Sequence, residues 1–302
     1  MNGILIIDKP EGFTSHDVVS KLRKILRIKS VGHTGTLDPF ATGVLVALIG
    51  KATRLAQFLD KAEKEYLATI RFGFETDTGD RTGSPKSEVQ SPKSEISTSE
   101  IENVLAKFRG ESLQTPPMYS AKKVAGKKLY ELARQGKEIE RQPVKITISK
   151  LAVTDLRTVT DELQITVDVS AGTYIRVLAE DIGRTLGIGA HLSELRRTRA
   201  GNFSLSQAVT LDKLEKLAQE NLVEQVLITP NEAIKHLPLV VLDAKAVSKT
   251  MNGMKFLAPN ADFENGEFVR MNDERGNLIA IGVFDESEKT VQPRVVLAGV
   301  EN

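Results

Sequence analysis

Cysteine and tryptophan are absent from these 302 residues, histidine occurs four times, and aromatic side chains make up only 5%. Without cysteine there is no disulfide, no thiolate nucleophile and no cysteine-ligated zinc or iron–sulfur centre. His16, His33, His191 and His236 are scattered without metal-ligand spacing. No apolar run approaches the ~18 residues a membrane span needs. The opening, MNGILIIDKPEGFTS, reaches an acidic residue and a proline after four apolar residues, so no signal peptide is expected. These absences predict a cytoplasmic, metal-independent chain. What is present is ordinary globular material, 40% hydrophobic and 27% charged, at a length for one large domain plus a small one.

The net charge of +1 hides an asymmetry. Residues 117–145 carry eight basic side chains (Lys122, Lys123, Lys127, Lys128, Arg134, Lys137, Arg141, Lys145) against three Glu, and Arg196, Arg197 and Arg199 form a second cluster. Residues 260–302 run the other way, nine acidic to four basic. A solvated helix face explains one basic run. Two in a near-neutral chain favour a polyanion footprint, because Lys and Arg neutralise phosphates and release counterions.

The periodicities alternate between the two regular structures. ILII (4–7) reads as a buried strand, and residues 15–27 place Val18, Val19, Leu22, Ile25 and Leu26 at helical spacing behind a Thr14/Asp17 cap. Residues 29–43 break every period and read as a Gly/Thr-rich loop, with KATRLAQFLD as the next helix. Tyr66, Ala68, Ile70, Phe72 and Phe74 alternate, as do Leu163, Ile165, Val167 and Val169, which predicts strands with one buried face. The near-repeat SPKSEV/SPKSEI within 84–100 reads as an exposed mobile loop, followed by a helix capped by Ser97 and Glu100 and stopped at Gly110. A short helix, KLYELARQ, is expected to end at Gly136. Beyond Pro238 short β-like pieces are separated by Asn-Gly turns. The mixture predicts an α+β fold: a large mixed, mainly antiparallel sheet with helices over 1–237, an insertion at about 112–145, and a small β-rich unit over 238–302.

The densest chemistry lies in GHTGTLDPFATG (32–43). Its glycines open backbone conformations closed to other residues, and Pro39 stiffens the turn after Asp38. A carboxylate held there beside His33 is well placed to meet a ligand. An Asp before Pro equally suits an Asx-turn. Neither the GxxxxGK[ST] nor the GxGxxG phosphate pattern is present.

This loop resembles the catalytic motif of the bacterial tRNA pseudouridine synthases of the TruB family. DKPEGFTSHDVV, KEYLATIRFGFETDTGD, TPPMYSAKKVAGKKLYELARQG, GTYIRVLAEDIG and GAHLSELRRTRAG are similar to that family's other blocks, in the family's order, across about residues 1–235. The resemblance implies isomerisation of uridine 55 in the tRNA T-loop, with Asp38 as the essential carboxylate and Arg176 its partner. It also implies that Tyr66 stacks on the target base, that Leu195 lines the apolar wall, that Lys9 and Pro10 shape the floor, and that His33 replaces the base's neighbours in the T-loop. Phe40 stands where most relatives are expected to carry Leu. Lys122, Lys123, Lys127, Lys128, Arg196, Arg197 and Arg199 become candidate RNA contacts, 112–145 a closing insertion, and 238–302 a PUA-like RNA-binding domain. A monomer without an obligate protein partner or membrane contact is expected.

The implied reaction breaks the N1–C1′ bond, turns the uracil and joins C5 to C1′. Nothing is oxidised or lost, so no cofactor is required. An ionised carboxylate could attack C1′, stabilise an oxocarbenium-like species or take a ribose proton. Enclosure would raise the pKa of Asp38, and Arg176 would lower it by roughly 1–3 units. Extruding the base costs a few kcal/mol, of which stacking on Tyr66 returns roughly 1–3 kcal/mol. A related pseudouridine synthase with a different RNA target, guide-RNA-dependent relatives included, and an inert RNA-binding or tRNA-folding protein of the same fold are the alternatives; the intact Asp38, Tyr66 and Arg176 argue against the second.

Overall fold

The computed structural model describes residues 1–86, 97–120, 122–124, 126–133, 135–157, 161–258 and 262–297. In chain order the strands are β1 (Gly3–Lys9), β2 (Val31–Thr34), β3 (Thr42–Ile49), β4 (Lys64–Phe72), β5 (Gly110–Gln114), β6 (Lys123–Val124), β7 (Lys127–Lys128), β8 (Val144–Arg157), β9 (Glu162–Val169), β10 (Ala190–Ala200), β11 (Phe203–Ser204), β12 (Leu239–Leu242), β13 (Phe256–Leu257), β14 (Phe268–Asp273), β15 (Leu278–Asp285) and β16 (Thr290–Val296). The helices are α1 (Ser15–Leu26), α2 (Ala56–Leu59), α3 (Thr98–Ala106), α4 (Leu129–Ala133), α5 (Ile175–Leu186), α6 (Leu211–Gln219), α7 (Pro230–Ala233) and α8 (Ala244–Met251).

A nine-stranded sheet runs β1-β3-β10-β4-β9-β8-β5, with β2 paired to β3 and β11 to β10. The β3–β10 pair is parallel and the others are antiparallel, as expected of a mixed, mainly antiparallel α+β sheet. The alternation in β4 and β9 explains its middle. Tyr66 faces Val167, Ala68 faces Ile165 and Ile70 faces Leu163, and all six are buried. Ile175, Leu178, Ala179 and Ile182 of α5 and Ile101, Val104 and Leu105 of α3 cover that face. Each aliphatic side chain buried this fully contributes about 1.5–3 kcal/mol.

Several expectations need correction at their edges. Residues 29–43 are not all loop, because β2 and the start of β3 lie within them and the irregular part is 35–41. KATRLAQFLD is not one helix: a 3₁₀ segment (Gly50–Leu55) passes into the four-residue α2. The α3 helix ends at Ala106, and Gly110 (φ +93°) opens β5 instead of closing the helix. The capping boxes of α1 (Thr14/Asp17) and α3 (Ser97/Glu100) are formed as expected. Most of the SPKSE near-repeat lies outside the described residues.

Gln114 pairs with Val144 across β5 and β8, so the inserted segment, 115–143, leaves and re-enters the sheet at one point. It contains the β6–β7 hairpin and α4. A five-stranded sheet, β12-β14-β15-β16-β13, with α8 against it, forms the C-terminal unit. Helix α8 was not legible among the β-like pieces. The unit has its own core around Val269, Met271, Phe284 and Val291, yet Ile281, Val295 and Leu297 join the cluster of Ile4, Ile6, Val44 and Val46 on the large sheet.

Candidate active site

The site begins where β3 runs parallel to β10. Gly43 adopts φ +99°, and a Cβ there would fall onto the Arg197 backbone, so only glycine lets the strands meet this closely. The 35–41 loop just before it is tied on both sides of Asp38. Ser15 Oγ accepts from Leu37 N at 2.9 Å. Pro39 O accepts from Gly12 N at 2.9 Å and from Lys9 Nζ at 3.2 Å. Lys9 is fully buried and also donates to the carbonyls of Pro10 (3.0 Å) and Phe13 (2.6 Å). Burial lowers its ammonium pKa to about 8. Its three N–H groups thus clamp residues 10–13 to the catalytic-loop candidate.

Among the described residues Asp38 forms one salt bridge, to Arg176. Arg176 Nε lies 2.9 Å from its Oδ2 and Nη2 lies 3.4 Å from its Oδ1. Arg176 is 4% exposed and also donates from Nη1 to Thr78 O and from Nη2 to Tyr119 O, both at 2.7 Å. A second carboxylate, Asp80, lies 3.7 Å from Nε and is itself held by Thr78 Oγ1, Thr82 N and Thr82 Oγ1. Burial raises the pKa of Asp38, and the Arg176 guanidinium opposes that rise. The start of α5, which delivers Arg176, lacks a side-chain cap of its own. Gln114 supplies the tie: its Oε1 accepts from Tyr174 N at 2.8 Å and its Nε2 donates to Tyr174 O at 3.1 Å.

Asp38 opens onto a cleft of about 650 Å³. Tyr66, Leu195, His33 and Arg176 share its walls, so residues 33, 38, 66, 176 and 195 converge as expected. Tyr66 and Leu195 are each 8% exposed. His33 sits edge to face with His16, ring centroids 5.5 Å apart, and burial, then His16, lowers its pKa. Among the described residues no three His, Asp or Glu side chains gather as a metal site, and no helix is long and apolar enough to cross a membrane.

Of the other expected residues Arg197 also lines this cleft, and the rest stand elsewhere. Lys9 and Pro10 are not among the cleft's lining residues; Lys9 lies behind the Asp38 loop and binds backbone carbonyls. Arg197 is 1% exposed and donates to Val44 O (2.6 Å) and Gly35 O (2.8 Å), so it is a buried brace and not a phosphate contact. Arg196 pairs with Asp8 at 2.7 Å and Arg199 with Asp168 at 3.2 Å, both partly exposed. Lys122, Lys123, Lys127 and Lys128 all lie in or beside the β6–β7 hairpin. Sequence reasoning missed Asp80 and Gln114. Asp80 is one acid in the run ETDTGD, and Gln114 ends a strand, so neither carries a periodic signal.

A carboxylate held by one buried guanidinium, under a tyrosine and a leucine, suits chemistry at an electron-poor carbon of an enclosed planar ligand. Comparison with known proteins gives the family. The N-terminal domain model of the TruB family pseudouridylate synthases matches residues 23–175, and the tRNA pseudouridylate synthase B C-terminal domain matches 176–235. The tRNA pseudouridine synthase B of Solibacter usitatus is 44% identical over 93% of this chain and 95% of its own, and that of Aquifex aeolicus 40% over 93% and 98%. A chain in a crystal structure of a Cbf5–Nop10–Gar1 complex superposes with TM-score 0.77 at 29% identity, covering 98% of this chain and 85% of that one. Two consecutive domain matches, near-complete coverage and a shared fold leave a single assignment: the chain belongs to the TruB family and is a pseudouridylate synthase.

Proposed function

We propose that the chain converts uridine 55 in the T-loop of tRNA to pseudouridine, with Asp38 as the catalytic carboxylate. The observation that carries this reading is the Asp38–Arg176 contact of 2.9 Å at the mouth of a cleft walled by Tyr66 and Leu195. The target base is extruded, Tyr66 stacks on it, and Leu195 closes the apolar side. His33, at the cleft rim, fills the space that the base leaves in the T-loop. Asp38 acts at C1′ while the N1–C1′ bond breaks, and the uracil turns and rejoins through C5. The isomerisation is redox-neutral and loses no group, so no cofactor takes part.

Arg176 opposes the rise that burial gives the Asp38 pKa, and Lys9 with Ser15 holds the backbone on either side of it. The lysines at 122, 123, 127 and 128 contact phosphates as the 115–143 segment closes, and the 238–302 unit is a PUA-like RNA-binding domain that adds a minor contact. The enzyme works in the cytoplasm as a monomer. The test is an unmodified tRNA transcript incubated with the chain, without added metal or cofactor, and mapped for pseudouridine by primer-extension stops. A stop at the T-loop position, lost with Asp38→Asn, supports the reading; modification elsewhere, or none, overturns it.

A further inference from the structure

Ser120 is 5% exposed and borders the cleft that holds Asp38, Tyr66 and Arg176. Its backbone is fully engaged, with N–H donated to Met118 O at 2.9 Å and the carbonyl accepting from Tyr130 N at 3.0 Å. Its hydroxyl is not. The buried Oγ has no hydrogen-bond partner among the described residues. Such a group costs stability in the free protein, and a binding wall is one place where a ligand supplies the missing partner.

The position of Ser120 indicates which part of a ligand that would be. Tyr119, one residue earlier, gives its carbonyl to Arg176 Nη2 at 2.7 Å, while Nε of the same guanidinium lies 2.9 Å from Asp38. Ser120 therefore flanks the reacting carboxylate through one intervening side chain, on the wall supplied by the inserted segment. Of the groups one bond from C1′, C2′ bears a hydroxyl that both donates and accepts, the match for an unpartnered serine hydroxyl. The base lies under Tyr66 and Leu195.

We propose that the Ser120 hydroxyl hydrogen-bonds the ribose 2′-hydroxyl of the extruded nucleotide. The proposal rests on the reading of Asp38 at C1′. Both groups donate and accept, and a serine hydroxyl reorients by rotation about its Cα–Cβ bond. The contact gives the site a means of preferring ribose over deoxyribose at the target position.

Binding of a T-arm stem-loop RNA is measured in an Asp38→Asn background, which prevents turnover, with uridine or 2′-deoxyuridine at the target position. Ser120→Ala weakens binding of the uridine RNA by about 3- to 10-fold, the usual worth of one such bond. The 2′-deoxy RNA loses the same factor with Ser120 present, and Ser120→Ala adds no further loss on it. Losses that multiply, or a Ser120→Ala chain that binds the uridine RNA unchanged, overturn the proposal. Removing an unpartnered hydroxyl leaves the melting temperature equal or higher; a lower value would reveal a partner inside the protein and also overturn it. The otherwise unaltered chain, assayed on the transcript, reports separately on the underlying reading. Absence of T-loop product there sinks that reading, whereas normal product with the binding outcomes just named sinks Ser120 alone.

Discussion

Arg176 and Asp38 meet through Nε and Oδ2 at 2.9 Å, and the same nitrogen lies 3.7 Å from Asp80. One buried guanidinium therefore faces two carboxylates. Arg176→Gln takes the paired cation away from both acids, so the pKa of Asp38, already raised by burial, climbs further. The acid limb of the pH–rate profile should move to higher pH, and raising the pH should restore part of the rate. Single-turnover rates from pH 5.5 to 9 check this. A loss that is equal at every pH would mean that Arg176 acts on the substrate and not on the charge of Asp38.

Asp38→Asn should abolish product, keep RNA affinity within a few-fold and leave the fold at least as stable. The sign follows from burial. The folded pKa of Asp38 is raised, so between the unfolded value of 3.8 and the folded one the native state holds the extra proton. Stability from this group is present below 3.8 and is lost as pH rises through the folded value. At pH 7 the asparagine avoids that penalty. Thermal melts at pH 7 and pH 3.5 check it: the variant should melt at or above the parent at pH 7, with the gap closing at low pH. A clear loss of stability at pH 7 would mark Asp38 as a structural residue.

The parts of this site that were legible beforehand are those written in local pattern. The one-sided alternation of Tyr66, Ala68 and Ile70 gives β4, and Thr14 with Asp17 gives the start of α1. Asp38, Arg176, Tyr66 and Leu195 could be named together only through resemblance, because they come from a loop, a helix and two strands that pairing alone brings into register. Arg197 shows the opposite failure. In RRTR it reads like its neighbours, but β10 alternates, and the strand turns that one side chain inward onto Gly35 and Val44. Asp80 and Gln114 act across folds of the chain that no spacing rule reaches.

Lys9 links pH to the Asp38 loop. With a pKa of about 8, its Nζ becomes neutral as pH rises through 8 and has one N–H fewer for three carbonyls. The rate should show a basic limb near pH 8 that Lys9→Met lacks, the variant being slower throughout. Stability moves the other way. Between about 8 and 10.5 the unfolded chain binds more protons than the native one, so this group's contribution rises with pH across that window. Chemical denaturation at pH 7.5 and 9.5, beside the rate profile, separates the two effects. A basic limb that survives in Lys9→Met would assign it to another group.

The basic residues should divide into two classes. Replacing Lys122, Lys123, Lys127 and Lys128 with serine should weaken RNA binding and flatten its salt dependence, by up to about 0.7–0.9 in log–log slope for each phosphate that is no longer neutralised. Melting temperature should barely change. Arg197→Met should do the reverse, because it leaves the Val44 and Gly35 carbonyls without their buried donor. Such a loss costs about 1–3 kcal/mol per unsatisfied group. Binding titrations at 50 and 200 mM salt, with melts of each variant, check the division. An unchanged slope in the lysine variant would place the RNA elsewhere.

The C-terminal unit binds the large sheet through its own apolar face, with Ile281, Val295 and Leu297 against Ile4, Ile6 and Val46, and Phe58 edge to face with Phe268 at 5.0 Å. Deleting 238–302 would therefore uncover part of the large sheet's core as well as remove the proposed RNA contact. KM should rise more than kcat falls, and the melting temperature should drop with it. Ile281→Ala separates the two. It keeps the outer surface of the unit, costs about 2–5 kcal/mol of stability as a buried large-to-small change, and should leave KM near that of the parent at temperatures where it stays folded. If Ile281→Ala raises KM as far as the deletion does, the unit serves RNA binding only through its attachment. If the deletion leaves kcat and KM both unchanged, the unit has no part in RNA recognition.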